Sequence, residues 1–261
     1  MKIGFFQFNP QFGELEKNRE QIQRGLAEAD ADLLVLPELA VSGYHISNKT
    51  EAERMAEPVP GPTTDILKMI SSQSGTFLVT GLLETSKGSL YNSAVLVGPD
   101  GPVSIYRKAH LFFEEKKFFE PGKSFGIVEI NGVKIGMLVC FDHLFPEAAR
   151  TLSLMGAQII CHPSNLVLPE IAQLTTRVRA LENRVFWIMA NRYGSETKGD
   201  KTHNYTGESQ IIAPSGRIIH RAAPTEDELY ITEIKPKDAL EKNITEFNDI
   251  FEDRRTDIYR L

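Results

Sequence analysis

The sequence predicts an α/β protein built on mixed β-sheet. Three observations carry this. The chain opens strand, helix, strand: Ile3–Phe8, then Gly13–Asp30 with Leu15, Ile22 and Leu26 at helical spacing, then the continuous apolar run Leu33–Leu36. Further largely apolar runs, Val133–Val139, Ala157–Cys161 and Val185–Ala190, alternate with helical stretches, as strands buried on both faces do. Between Ser93 and Arg107, two strands flank a Gly98-Pro99-Asp100-Gly101 turn, too tight for a crossover, so part of the sheet is antiparallel.

The remaining elements follow in order. Turn residues cluster over Pro58–Pro62, and a short helix is expected near Thr63–Ser72. Thr76–Leu83, Ser93–Val97 and Val103–Arg107 read as strands. After the strand ending near Val139, Pro146 suits a first helical turn and Glu147–Met155 reads as a helix, followed by the strand Ala157–Cys161. A helix over Gln173–Asn183 leads to Val185–Ala190. The polar segment Ser195–Asn204 is expected to be a mobile loop. Gly207–Ala213 and Arg217–His220 flank Pro214-Ser215-Gly216 as a hairpin, and Leu229–Ile234 is the last strand. From Lys242 the chain is polar, yet it holds Phe247, Ile250, Phe251 and Ile258, which are expected to pack on this subunit or a neighbour. With no internal repeat and no linker, 261 residues are expected to form one domain with an oligomerisation tail at 242–261.

Composition narrows the function. Hydrophobic residues make up 41% and charged residues 25%, ordinary for a globular enzyme, and the formal net charge of −6 argues against a nucleic-acid partner. The dense cluster Glu114-Glu115-Lys116-Lys117 carries both signs and is no polybasic patch. Two cysteines are too few for a disulfide scaffold and point to a reducing compartment, and the early Pro10 breaks any signal peptide. No apolar run has the length of a membrane span. The expectation is a cytoplasmic protein with neither nucleic-acid nor membrane partner.

Three strand ends carry chemistry. Cys140 closes Val133–Val139, where α/β proteins place reactive groups, and the Phe141 N–H at that corner could face an anion. Glu38 follows Leu-Val-Leu-Pro, an apolar setting in which a carboxylate needs a partner or a task. Lys108 ends the Val103–Arg107 strand. Each has a bland alternative: an inert buried thiol, an ordinary strand-end glutamate, a surface lysine.

Taken together, L-V-L-P-E-L around Glu38, Y-R-K-A-H-L-F around Lys108 and V-C-F-D-H-L-F-P-E-A-A-R around Cys140 resemble the nitrilase, or carbon–nitrogen hydrolase, superfamily. The G-E-S-Q-I-I-A-P-S-G hairpin and R-A-L-E-N-R at Arg179–Arg184 extend the likeness across the chain. The resemblance implies a four-layer α-β-β-α sandwich, a Glu38–Lys108–Cys140 triad, no cofactor, and a homodimer or larger homo-oligomer. It also implies a further glutamate after the lysine, Glu115 by spacing, with Glu114 as the neighbouring alternative. The family usually places a large aromatic ring three positions after the cysteine; here stands His143, which bears on substrate choice. His143, Asn165 and the Ser195–Asn204 region are expected to shape the acyl pocket, with Phe141 as an oxyanion donor.

The expected reaction is cysteine-dependent hydrolysis of a small amide, aliphatic or ω-amide, with nitrile or carbamoyl compounds as alternatives. Three rivals belong elsewhere. Cys140, His143, Cys161 and His162 could ligate zinc, but C-x-x-H with an adjacent C-H is an incomplete ligand set. Cys161 could be the nucleophile, but no acid or lysine motif accompanies it. A non-catalytic binding module would retain the fold, but no member of the triad is missing.

Overall fold

The computed structural model describes residues 1–259. Two six-stranded mixed sheets hold the fold. The first is built from β1 (Lys2–Gln7), β2 (Leu33–Val35), β3 (Phe77–Ser86), β4 (Ser89–Gly98) and β5 (Gly101–Arg107). The second takes β6 (Ile127–Ile130), β7 (Val133–Met137), β8 (Ile159–Pro163) and β9 (Phe186–Ala190). β10 (Tyr193–Lys198) and β11 (Lys201–Thr206) form a separate hairpin. β12 (Gln210–Ile212) and β13 (Ile218–Arg221) join the second sheet, and β14 (Glu228–Glu233) returns to the first. The orders are β14-β1-β2-β3-β4-β5 and β13-β12-β9-β8-β7-β6. In each sheet three parallel strands, β1-β2-β3 or β7-β8-β9, carry antiparallel neighbours on both sides.

Alternation along the strands sorts the apolar side chains into layers. Ile3, Phe5, Leu33, Val35 and Val79 point between the sheets, into one core with Ile135, Met137, Ile159 and Cys161. Their neighbours Phe6, Phe8, Leu34, Leu36 and Leu78 point outward onto α1 (Leu15–Leu26), through Ile22 and Leu26, and also meet Leu67. Leu67 belongs to α3 (Pro62–Ser74), which follows the short α2 (Lys49–Met55). On the far side α4 (Pro146–Leu154) and α5 (Ile171–Asn183) pack on each other and α5 on β9 and β12. Helix, sheet, sheet, helix is therefore the layering, and it explains why β2 and β9 are apolar at every position.

The structure departs from the sequence reading at three places. Ser195–Asn204 is ordered as the β10–β11 hairpin, paired from Tyr193–Thr206 to Lys198–Lys201 around Gly199-Asp200. Its polarity misled because most of its side chains face solvent, whereas its backbone is satisfied by pairing. Helix α2 had a readable signal: Asn48 caps it, accepting from the Glu51 N–H at 3.0 Å. Strand β6 had one too. Asn131-Gly132, both at positive φ, joins Ile-Val-Glu-Ile to β7 as a two-residue hairpin turn. In the C-terminal stretch, Asn243–Thr245 and Asn248–Asp249 form a small hairpin. Phe247 (82% exposed) and Ile258 find no cover on this subunit, while Phe251 packs under Arg150 and Lys242. Residues 260 and 261 of the expected tail lie outside the described residues.

Candidate active site

Glu38, Lys108 and Cys140 stand just past β2, β5 and β7. The first two come from the first sheet, so their strand ends and that of Cys140 converge from opposite layers of the sandwich. Close approach is needed for this. A Cβ on Gly81 of β3 would lie 2.3 Å from the Glu38 Cα, so only glycine lets β3 pass there.

The ion cluster is fully buried. The Lys108 Nζ donates to Glu38 Oε1 at 2.8 Å and to Glu115 Oε1 at 2.9 Å, with Lys108 and Glu38 both at 0% exposure. Asn92 Nδ2 donates to Glu38 Oε1 at 2.7 Å. Tyr44 O–H donates to Glu115 Oε1 at 2.7 Å, and the Phe112 N–H donates to Glu115 Oε2 at 3.0 Å. It is thus Glu115 that reaches Lys108; Glu114 faces outward to Lys117 and Lys201. One oxygen is left over: Glu38 Oε2 is sealed from solvent and has no hydrogen-bond partner among the described residues. Of the three Lys108 ammonium protons, two are committed to carboxylates and one is free.

Cys140 opens a 3-10 turn, Cys140–Leu144, at φ +43°, a left-handed conformation that costs a non-glycine residue on the order of 1–3 kcal/mol. The expected strand-to-helix corner is thus a strained turn before α4. Its surroundings hold it. The His162 Nε2–H donates to the Cys140 carbonyl at 2.9 Å. The buried Asp142 accepts from the Val139 N–H at 2.9 Å, from Tyr106 O–H at 2.8 Å and from the His110 N–H at 3.1 Å. The His110 ring also sits 2.7 Å from Asp142. Asp142 therefore ties the turn of the cysteine to the strand end of the lysine. The Asn165 side chain does the same for the acid, its Nδ2 donating to the Glu38 carbonyl at 2.9 Å.

Electrostatics follow from burial. Burial raises Glu38 above the usual carboxylate range, with Lys108 opposing and Glu115 reinforcing. Burial also pushes the Cys140 thiol well up, helped by Glu38 and opposed by Lys108, so the resting sulfur is protonated. For Lys108 burial works downward, but Glu115 and Glu38 outweigh it and hold the ammonium well above its ordinary range. Cys140 feels all three charges, which places it in their company.

A cleft opens on Cys140, walled by Phe112, Phe141, His143, Leu144, Asn165 and Leu166. The expected pocket residues Phe141, His143 and Asn165 are all in it. The Ser195–Asn204 stretch is not: its His203 lines a neighbouring cleft with Tyr44 and Glu115, across Phe112. Cys161 pairs with Met137 inside the sheet, is 0% exposed, and burial alone pushes its thiol up. Among the described residues no three His, Cys, Asp or Glu side chains gather to hold a metal. The sequence reading gives no role to Asn92, Tyr44 or Asp142, and considers His162 only as a zinc ligand. Asp142 and His162 had a signal, polar residues beside a strand-end cysteine; Asn92 and Tyr44 had none.

This constellation, on this fold, is that of a hydrolase acting on carbon–nitrogen bonds. The comparisons agree: residues 2–241 match the carbon-nitrogen hydrolase family model, and the chain belongs to that family. It is 41% identical to a nitrilase of Pyrococcus abyssi over 99% of both chains. It is 34% identical to an (R)-stereoselective amidase of a Pseudomonas species, over 87% of this chain and 82% of the other. The fold of an amidase from a Nesterenkonia species superposes with a TM-score of 0.83, at 24% identity, over 98% of this chain and 94% of that one.

Proposed function

We propose that the chain is an amidase that releases ammonia from a small aliphatic or ω-amide through a thioester on Cys140. The observation that carries this is the unpartnered Glu38 Oε2, a buried base beside a paired ammonium, in the electrostatic company of a cleft-lining thiol. Its raised pKa suits a group that must take and return a proton near neutrality.

In the first half-reaction Cys140 Sγ bonds to the amide carbon as its proton passes to Glu38. The carbonyl π-bond becomes an oxyanion facing the free Lys108 N–H and the Phe141 backbone N–H. One such donor is worth about 3 kcal/mol, roughly a hundredfold in rate. The oxyanion then re-forms the carbonyl, the C–N bond breaks, and Glu38 returns its proton to the nitrogen, which leaves as ammonia. In the second half Glu38 takes a proton from water as its oxygen attacks the thioester. The C–S bond breaks, sulfur recovers the proton, and a carboxylic acid leaves. Glu115 holds Lys108 in place throughout. The likeness to the Pyrococcus abyssi nitrilase keeps nitriles as a second reading; there sulfur would add to the nitrile carbon. An N-carbamoyl amide would use the same attack.

The same reading treats the chain as one catalytic domain whose 242–261 tail packs on a second copy. Exposed Phe247, Ile244 and Ile258 support this, as does the apolar stripe Ile171, Leu174, Val178 and Leu181 on α5. Two free, buried thiols suit the reducing cytoplasm. The test is ammonia release across short amides, nitriles and carbamoyl compounds. Turnover of amides with an acyl mass on Cys140 is expected. Turnover without that adduct, or none with any compound, overturns the proposal.

A further inference from the structure

We propose that His143 selects substrates whose acyl chain carries a hydrogen-bond donor, such as a hydroxyl or an N–H, and that, of the two substrate groups proposed above, the cleft favours aliphatic amides over ω-amides whose acyl chain ends in a carboxylate. This rests on the hydrolase reading above. It starts from the tautomer of His143, which is 4% exposed and lines the Cys140 cleft. Its Nδ1 lies 2.6 Å from Thr175 Oγ1. That hydroxyl spends its single proton on the Ile171 carbonyl at 2.9 Å, one turn back along α5. With its proton on that helix carbonyl the hydroxyl accepts from His143, and on this arrangement we assign the hydrogen to Nδ1. Burial, with Arg179 nearby, pushes the His143 pKa down to about 4, leaving a neutral ring at pH 7. Nε2 is then a bare acceptor, and no group among the described residues donates to it.

A second acceptor stands in the same cleft. Asn165 Nδ2 donates to the Glu38 carbonyl, which fixes the amide's orientation, and its Oδ1 is buried with no partner. A buried acceptor without a donor costs about 1–3 kcal/mol until a ligand meets it. The NH2 of a primary amide can meet one of the two; the other is left for a donor on the acyl chain. The cations offer no counterweight to an anionic chain. Lys108 is held by two carboxylates, and Arg179 is committed to the His143 and Leu144 carbonyls and to Glu182. A carboxylate tail would face the acceptor that the amide leaves open.

Three amides of similar size separate the cases: 3-hydroxypropionamide carries the donor, butyramide has a methyl in its place, and succinamate carries an anion. For the wild-type protein, kcat/KM is expected to favour the hydroxyamide over butyramide by about threefold to tenfold, one hydrogen bond's worth, with succinamate last. His143→Phe should lower kcat/KM for the hydroxyamide more than for butyramide, and so erase that preference. Equal rates, or a preference for succinamate, overturn the proposal. Binding to Cys140→Ala needs no turnover and no altered histidine. There the pyridine-type 15N resonance of His143 should belong to Nε2, and shift with the hydroxyamide but not with butyramide. A protonated Nε2, or no shift, overturns the proposal. A shift in a protein that hydrolyses no amide would leave His143 a selector and sink the amidase reading instead.

Discussion

Cys140 and Cys161 make the most instructive comparison in the molecule. They end neighbouring parallel strands, in each case after an apolar run, and a histidine follows within three residues. Both are buried, and burial pushes both thiols up. What separates them is a turn and a set of neighbours. Cys161 stays in regular β-structure with its side chain in the core between the sheets. Cys140 sits three residues past the end of β7, in left-handed backbone at the edge of that core, where it lines a cleft and feels Glu38, Lys108 and Glu115. A buried thiol is an inert side chain or a nucleophile according to whether a base and a fixed positive charge share its cavity.

The largest expected effect tests that contrast directly. Cys140→Ala should lower turnover by at least about a thousandfold, whereas Cys161→Ser should keep kcat/KM within about threefold and instead lose about 1–3 kcal/mol of stability from a buried hydroxyl without a partner. Steady-state ammonia release and thermal melting separate the two. Iodoacetamide should mass-label the Cys140 peptide and spare Cys161, and the reverse pattern would dissolve the comparison.

Next in size is Lys108→Met. It removes one oxyanion donor, for roughly a hundredfold to a thousandfold in the acylation rate. It also leaves the Glu38 and Glu115 carboxylates together and buried, at a cost of about 3–5 kcal/mol. Pairing it with Glu115→Gln should recover much of the melting temperature and none of the rate. Recovery of the rate would show that the ammonium serves the fold alone.

A pH profile sharpens the comparison further. Glu38 must be ionised to take the Cys140 proton, and burial raises its pKa. The rate should therefore fall as pH drops through that raised value, with an acid-limb midpoint in kcat/KM above the ordinary glutamate pKa of about 4.3. A midpoint at or below that figure would remove Glu38 from the proton path. The smallest effect is expected from Asp142→Asn, which keeps the size but weakens the bonds from Tyr106, His110 and Val139 that hold the turn. About a tenfold loss in kcat with little change in KM is expected; an unchanged kcat would mean the turn holds itself.

Legibility was uneven for physical reasons. Strands buried on both faces leave uninterrupted apolar runs, so β2, β7, β8 and β9 could be read directly. The β10–β11 hairpin could not, since its inward face carries Glu196 and His203, not apolar side chains, and so leaves no apolar period. In the site, Glu38, Lys108 and Cys140 stood out because each interrupts or ends such a run. Tyr44 and Asn92 did not: each lies in a stretch whose sequence would look the same without the contact it makes.

The sequence by itself determined the family, the layered α/β plan and the three residue types on which the chemistry turns, because local pattern and motif order are written along the chain. Only the tertiary structure decided which of two glutamates reaches the lysine, which of two cysteines faces a cleft, and which nitrogen of His143 is bare. The first and last are relations between residues 7 and 32 apart, and all three are fixed by how the elements pack and not by any stretch alone.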